Sequence, residues 1–347
     1  MRYQNMGVFD GGMVLSGSQI PAASGGKVQV MDSNAIASGG AFLQSELEKR
    51  DNLVRTPLTS ITYPRDITVR VGGGWAEFVS AMQVNYGVAG GSGDNLVHAA
   101  GATGIPMIQA DFGKDLWKTH IFSIGMRVMW LDIQRGNLTG RSYETLLRDG
   151  IRMAYDKHME ENVYAGIGKY GTTGLLNNEN ITIQNAASTG TEKSTKFKDK
   201  APDLILEDIN GAILSVWEAC EHDRDAIPNH ILLPYEQFNR LATTRISDLA
   251  EKTALQFLLD NNVAKANGGD LYIGAASWCK GAGVGGTDRM VVYVNKEKYL
   301  AVDELVPLNR VMTQANATEV CYDTPYMGNL SEVQSFYDQA MCYVDGI

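Results

Sequence analysis

The glycines of residues 281–286 have the spacing Gly-x-Gly-x-x-Gly, with which a loop can hold the diphosphate of a dinucleotide. In a dinucleotide site this loop follows a strand and opens a helix, whose N-terminus faces the phosphates. Here the apolar run that follows, residues 290–294, has the composition of a strand. Because a strand in that place offers no helix N-terminus, the sequence favours a flexible loop over a nucleotide site.

Other residues capable of chemistry are scattered. Glu221, His222 and Asp223 could seat a metal or polarise an imidazole, but a charged, exposed helix end explains them better. The chain contains no P-loop, zinc-protease or serine-hydrolase motif. The 4 cysteines are far apart, without a Cys-x-x-Cys pair or a histidine at zinc spacing: Cys220, Cys279, Cys321 and Cys342. The sequence therefore predicts no catalytic residue, no cofactor and no metal.

Composition limits the class of protein. The chain has 347 residues, 44% of them hydrophobic, which is enough for one large or two ordinary domains with a core. A formal net charge of -10 at pH 7, with no run of basic residues, argues against a protein that binds duplex nucleic acid. With no signal peptide and no apolar stretch of about 18 residues, we expect a protein made soluble in the cytoplasm, with no membrane partner.

The elements that position these residues are organised around a long helix at residues 142–165. Ser142 can accept hydrogen bonds from the first free N-H groups, and Glu144 places negative charge at the positive end of the helix dipole. One apolar stripe at helical spacing is predicted to pack inward, and it includes Leu147, Gly150, Ile151, Tyr155 and His158. Glycine in that stripe indicates close approach of another backbone, and His158 is interpreted as a hydrogen-bonded core histidine. Gly166 and Gly168 are expected to end the helix.

Before this helix, the sequence predicts strands within residues 61–71, a short helix from Trp75 to Met82 and a glycine-rich loop at 87–104. Alternation of apolar and polar residues then predicts a half-buried strand at 122–130. Residues 1–40, poor in charge and rich in glycine, are interpreted as an extended arm, followed by a short helix at 41–49.

After the long helix, residues 202–305 alternate between helix and strand signals. Helices are predicted at 205–220, 235–241 and 247–266, with a buried strand at 231–233 and a hairpin formed by 290–294 and 299–302. Such a pattern is typical of an α+β domain. The remaining residues are predicted to be mostly strand.

The helix and the turn after it, Gly168-Lys-Tyr-Gly171-Thr-Thr-Gly174-Leu-Leu-Asn-Asn178, together resemble the spine helix and hairpin of tailed-bacteriophage major capsid proteins of the HK97-like fold. Residues 66–69, 104–107 and 120–130 are similar to one lineage of those coat proteins in order and spacing. Residues 230–241 are similar to the strand, proline and short helix of that fold's axial domain.

This resemblance implies an α+β fold with four parts: an N-terminal arm (1–57), an extended loop (58–135), a peripheral domain with the spine helix (136–201 and 306–347) and an axial domain (202–305). In the family the extended loop lies over the adjacent subunit. The residues assigned to that contact are Trp75, Phe78, Asn95, His98, Lys114 and Trp117. Leu147, Gly150, Ile151 and Tyr155 are assigned to packing of the spine helix.

The implied function is a coat protein, not an enzyme, that self-assembles through pentamers and hexamers into an icosahedral shell around double-stranded DNA, without sequence-specific binding. A separate scaffolding protein, a portal and possible decoration proteins are the implied partners, and the virion is the implied location, after synthesis in the host bacterial cytoplasm. Two alternatives stay open. One is an encapsulin-like nanocompartment shell protein, and the other is a nucleotide-binding cytoplasmic enzyme that uses the 281–286 loop.

Overall fold

The protein is described by a computed structural model covering residues 6–9, 12–15, 57, 59–89, 107–140, 142–189, 194–246 and 252–347. It divides into two compact units, Met1–Leu58 and Thr59–Ile347. In the first unit, strands β1 (Met6–Phe9) and β2 (Gly12–Leu15) form an antiparallel pair. The short helix predicted at 41–49 lies outside the described residues.

The second unit contains a six-stranded sheet with the order β3-β10-β12-β5-β4, and a short strand, β11, pairs with β12. The strands are β3 (Val69–Val71), β4 (Phe78–Ala89), β5 (Met107–Met129), β10 (Leu300–Arg310), β11 (Gln314–Asn316) and β12 (Cys321–Ser335). Strand β5 is 23 residues long. Its residues 119–129 pair with β12, whereas its residues 107–118 pair only with β4. Residues 78–89 and 107–118 therefore form a two-stranded extension, called the ribbon below.

A five-stranded sheet has the order β6-β13-β9-β7-β8. Its strands are β6 (Thr182–Asn185), β7 (His230–Leu233), β8 (Tyr272–Ala275), β9 (Arg289–Tyr293) and β13 (Met341–Asp345). The helices of this part are α4 (Pro202–Ala219), α5 (Tyr235–Thr243), α6 (Ala254–Asp260) and α7 (Val263–Ala266). Met290 and Val292 join the core under these helices, while Val291 and Tyr293 face a second core on the other side.

The long helix is α3 (Tyr143–Tyr164), preceded by α1 (Tyr63–Asp66) and α2 (Trp130–Thr139). The predicted start is confirmed, because the Ser142 side chain accepts a hydrogen bond from the backbone N-H of Thr145 at 3.3 Å. The predicted end is confirmed as well: Ala165 is the C-cap and Gly166 adopts a positive φ of 67°. Ile151 and Tyr155 pack on the six-stranded sheet through two apolar clusters, and Leu147 is half-buried beside the first of them.

The prediction that Gly150 lies on the buried face is wrong. Gly150 is exposed, and a Cβ added there would meet nothing within 4 Å. The buried face runs through Ile151, Tyr155, Met159 and Val163 at i, i+4 spacing. Gly150 lies about 100° around the helix from Ile151, on the side away from Tyr155.

This correction makes Gly150→Ala a stabilising substitution. Alanine in an exposed helix interior should raise the free energy of unfolding by up to about 1 kcal/mol, chiefly by restricting the unfolded chain. Gly174→Ala is the contrasting variant and should destabilise the protein, because its Cβ would lie 2.6 Å from the backbone N of Gly166. Urea unfolding of both variants tests this expectation. A destabilised Gly150→Ala protein would show that a backbone does pack against this face.

Three further predicted elements differ from the structure in type or in bounds. Residues 78–82 belong to strand β4 rather than to a helix, and Trp75 precedes it. Strand β5 starts earlier than predicted, and Trp130 begins helix α2. The helix predicted at 247–266 is interrupted where Asn262 caps α7 by accepting a hydrogen bond from the Lys265 backbone N at 2.7 Å.

The predicted hairpin of residues 290–294 and 299–302 does not form. Strand β9 pairs with β7 and β13, whereas β10 pairs with β3 and β12 in the other sheet. The predicted boundary between residues 305 and 306 falls inside β10, and β13 shares a sheet with β7, β8 and β9. Which strands pair, and in which sheet, depends on residues far apart in the sequence. The local pattern of apolar residues carries no information about those distant partners.

Candidate functional site

One face of the ribbon is apolar and open to solvent. Residues directly opposite each other on antiparallel strands share a face, and side chains alternate between faces along each strand. On this face lie Phe78, Ser80, Met82, Val84, Tyr86 and Val88 of β4, with Ile108, Ala110, Phe112, Lys114, Leu116 and Lys118 of β5. Met82 and Tyr86 are each 74% exposed, Ile108 is 72% exposed and Phe112 is 66% exposed. This set is called the apolar face, and it exposes large side chains that normally pack against something.

The opposite face of the ribbon is more polar, although it also includes Val79, Met107 and Trp117. Among its members are Gln83, Asn85, Gln109, Asp111 and Asp115. Both acidic residues of the ribbon lie on this polar face, and both of its lysines lie on the apolar face. The two faces of the ribbon therefore differ both in hydrophobicity and in the sign of their charged residues.

The apolar face continues a surface that is already part of the core. Farther along β5, residues with the same orientation are His120, Phe122, Met126 and Val128, which contact the helix α3 side of the sheet. Helix α3 ends at Tyr164 and does not cover the ribbon. The exposed half of this strand thus has the composition of a packed sheet face, but none of the elements that the structure describes covers it.

The base of the ribbon is held firmly. The Glu332 carboxylate accepts hydrogen bonds from the backbone N-H of Lys118 at 2.7 Å and of Thr173 at 3.1 Å. Trp117 meets Phe336 edge to face, with ring centroids 5.1 Å apart. These contacts fix the direction in which the ribbon leaves the sheet.

A buried polar cluster anchors the chain just before the ribbon. The Asp66 carboxylate is fully buried and accepts hydrogen bonds from the Arg65 guanidinium at 2.5 and 2.8 Å and from the Tyr164 hydroxyl, with the His230 ring 3.4 Å away. Burial alone would raise the pKa of Asp66, but the hydrogen bonds from Arg65, His230 and Tyr164 outweigh it and lower the pKa. The Tyr293 hydroxyl donates to the Asp66 carbonyl at 2.5 Å. This Asp66 cluster joins helix α1 to the spine helix and to the five-stranded sheet.

A second carboxylate completes the anchor. Glu160 of the spine helix, 4% exposed, accepts hydrogen bonds from the Thr62 backbone N at 2.8 Å, the Thr62 hydroxyl at 2.6 Å and the Tyr63 backbone N at 3.0 Å. The N-H groups at the start of helix α1 are thereby satisfied by the neighbouring helix.

The residues predicted to contact another subunit do not form one cluster. Phe78 and Lys114 lie on the apolar face, while Trp117 lies on the opposite face and is half-buried. Trp75, 56% exposed, precedes β4. Asn95 and His98 lie outside the described residues. Sequence reasoning missed Met82, Tyr86, Ile108 and Phe112, although alternation of apolar residues through 108–116 was a signal for them.

The glycine loop at 281–286 uses its own N-H groups internally. The backbone N of Gly281 donates to Asp288 at 3.0 Å, that of Gly283 donates to the Thr287 carbonyl at 2.7 Å, and that of Val284 donates to Asp345 at 2.9 Å. The predicted strand after the loop is confirmed as β9, so no helix N-terminus faces the loop. This arrangement does not provide the donors that a diphosphate needs.

Several other features bear on chemistry. All four cysteines are free thiols, and Cys279, Cys321 and Cys342 are buried. Among the residues that the structure describes, no group of three or more His, Cys, Asp or Glu side chains is placed to hold a metal. Across those same ranges, no helix has the length and apolar character to cross a membrane.

Known structures share this fold. The capsid of Myoviridae phage XM1 superimposes with a TM-score of 0.71 at 16% identity, covering 87% of this chain and 98% of that one. The capsid of a native GTA particle superimposes with a TM-score of 0.59 at 12% identity, covering 91% of this chain and 99% of that one. A Microbacterium phage Oxtober96 structure superimposes with a TM-score of 0.57 at 14% identity, covering 88% of this chain and 98% of that one. These likenesses confirm the HK97-like fold.

Sequence comparison adds the family. No curated protein matches this chain, but a family model described as major capsid protein matches residues 93–347, well over half of it. The alternation of helix and strand, the spine helix and the two sheets agree with that match. This chain belongs to the major capsid protein family.

Proposed function

We propose that this shell-forming coat protein builds an icosahedral phage head around double-stranded DNA, and that the apolar face of the ribbon is its contact with a neighbouring copy. The observation that supports the proposal is the exposure of large side chains along that face, such as Met82 and Phe112 at 74% and 66%. A compact soluble subunit rarely leaves so extended an apolar surface in water. Burial against another subunit removes this cost.

Charge favours a second copy as the occupant. The chain carries a formal net charge of -10, so the surface of each copy is acidic on balance. Lys114 and Lys118 are the charged groups of the apolar face, and the aspartates Asp111 and Asp115 point the other way. Opposite charges guide association and fix which face docks. Docking through the polar face would bring acidic surfaces together.

The proposed organisation follows the family. Residues 1–57 are the arm, 58–135 the extended loop that contains the ribbon, 136–201 and 306–347 the peripheral domain, and 202–305 the axial domain that meets its counterparts in pentamers and hexamers. Pairing of β13 with β9 supports moving residues 341–345 to the axial part of this scheme. Arm and ribbon then link neighbouring copies.

The proposed partners are a separate scaffolding protein, a portal and possible decoration proteins. The enclosed DNA is held without sequence-specific binding, consistent with the acidic composition. The family places the finished protein in the virion, and we propose synthesis in the cytoplasm of a bacterial host.

Assembly tests this function. We expect the purified protein, with its scaffolding protein where needed, to form closed particles visible by negative-stain microscopy. A monodisperse monomer or dimer under every condition, scaffold included, contradicts a shell. The nucleic-acid and protein content of particles from infected cells separates a DNA-filled head from an encapsulin-like compartment with protein cargo.

A further inference from the structure

Two histidines meet where the ribbon joins the body of the subunit. His120 lies on β5, two residues beyond the ribbon, and His158 lies on the spine helix. Their ring centroids are 5.5 Å apart and the rings are nearly perpendicular, at 83°. His120 is only 8% exposed. Within the described part of the chain, both ring nitrogens of His120 and Nε2 of His158 are buried without a hydrogen-bond partner.

This finding corrects the interpretation of His158 as a hydrogen-bonded core histidine. A buried polar nitrogen without a hydrogen-bond partner destabilises the folded state, so such a pair is rarely tolerated without a role. The surroundings of the pair are aromatic and aliphatic. Phe122 lies 4.9 Å from the His158 ring, Tyr170 stacks on His120 at 6.3 Å, and Leu330 pairs with His120 across the sheet.

The charged groups on the elements around the pair do not neutralise it. Those elements carry Tyr155 and Glu161 on α3, Lys118 on β5, Glu332 on β12, and Lys169 and Tyr170 on the turn Gly168–Tyr170. The Glu332 carboxylate is already engaged by two backbone N-H groups. Among the described residues, neither histidine forms an ion pair within 4.0 Å. Protonation of either ring would therefore place a cation in an apolar contact.

We propose that His120 and His158 form an acid-sensitive latch that holds β5 against the spine helix while both rings are neutral and releases it when they are protonated. Two imidazolium ions about 5.5 Å apart would repel each other and lack solvation. Release at this point separates β5 from the spine helix, while Glu332 and the Trp117–Phe336 contact still hold the base of the ribbon. The latch belongs to the subunit itself and does not depend on which surface the ribbon contacts.

The direction of the pH effect follows from burial. Burial lowers the pKa of His120 from 6.5 to about 4, helped by His158, and burial also lowers the pKa of His158 despite the opposing charge of Glu161. Both rings are neutral above about pH 7 in folded and unfolded chains alike. As the pH falls below 6.5, the histidines bind protons in the unfolded or opened chain but stay neutral in the closed one. The contact therefore weakens between about pH 6.5 and 4.

The first test uses the unaltered protein. Hydrogen exchange at the imidazole C2 atom, followed by mass spectrometry across pH, gives a titration midpoint for each histidine. We expect the midpoint of His120 well below the ordinary histidine value of 6.5, because burial disfavours its charged form. A His120 midpoint at or above 6.5 would overturn the latch.

The second test measures opening directly. Amide protection factors, corrected for intrinsic exchange, are compared at pH 7.5 and pH 5 for residues 119–124 and 155–163. Wild-type protein should lose protection at least tenfold in acid. The double variant His120→Phe and His158→Phe, whose rings cannot be protonated, should change less than threefold, while the exposed control His222→Asn should follow the wild type. Equal opening in the double variant refutes the latch, and if that variant does not fold, His158→Phe alone and the imidazole measurement decide.

Discussion

Closed particles should be lost when Met82 and Phe112 on the apolar face are replaced by aspartate, while the subunit stays folded. Both side chains are mostly exposed, at 74% and 66%, so the subunit loses little packing. At a subunit contact the same changes remove two apolar anchors and add two negative charges. Anchors of this kind cost roughly 2 kcal/mol or more when truncated, and a shell repeats the loss at every equivalent contact. Negative-stain particle counts measure assembly, and circular dichroism measures folding.

The opposite face of the same ribbon supplies a matched control. Gln109→Glu adds a negative charge on the polar face, where its cross-strand partner is the uncharged Gly87. We expect these particles to form with parental yield. Equal loss of particles in both variants would indicate that ribbon charge, not the apolar face, matters. Normal assembly of the Met82 and Phe112 variant would remove the apolar face from the shell contacts.

Removal of the Asp66 carboxylate should destabilise the subunit strongly. Asp66→Ala leaves the Tyr164 hydroxyl and the His230 ring without their buried acceptor and breaks the bidentate contact with Arg65. Orphaned buried donors cost about 1 to 3 kcal/mol each, so we expect a loss of about 3 kcal/mol and a clearly lower melting temperature. Asp225→Ala, which removes an exposed carboxylate paired with Lys296, is the control and should melt like the parent. An unchanged melting temperature for Asp66→Ala would show that the cluster does not anchor helix α1.

The pH dependence of the Asp66 cluster differs from that of the histidine latch. Because hydrogen bonds lower the pKa of Asp66 in the folded protein, its contribution is complete above the ordinary value of 3.8 and is lost only as the pH falls through the lower, folded value. Loss of protection between pH 6.5 and 4 therefore belongs to the histidines rather than to Asp66. The effects of the Asp66 cluster and of the histidine pair on stability therefore fall in different pH ranges.

The sequence predicted elements whose signals are local. Ser142 and the glycines at 166 and 168 marked the ends of the spine helix correctly, because capping is decided within a few residues. Pro234 likewise separated β7 from α5 as predicted. Elements that depend on distant partners were not predictable in this way. Phe78 and Met82 fit a helical period as well as a strand, and only pairing with β5 decides between them.

The candidate site depended even more on long-range structure. Alternation through residues 108–116 predicts a strand with one apolar side, but not that helix α3 stops before covering it. Partners such as Asp66 and His230, 164 residues apart, have no shared local pattern. His120 and His158 meet because a strand and a helix cross, so the pattern around His158 alone predicted an ordinary core position.

Cryo-electron microscopy of the assembled particle would show whether the apolar face of the ribbon contacts a neighbouring copy. We expect density from a neighbouring subunit over the apolar face of the ribbon, with Met82, Tyr86, Ile108 and Phe112 buried between copies. The carboxylates of Asp111 and Asp115 should face away from that contact. A ribbon that projects into solvent, folds back on its own subunit, or meets its neighbour through the polar face would show that the apolar face is not the subunit contact.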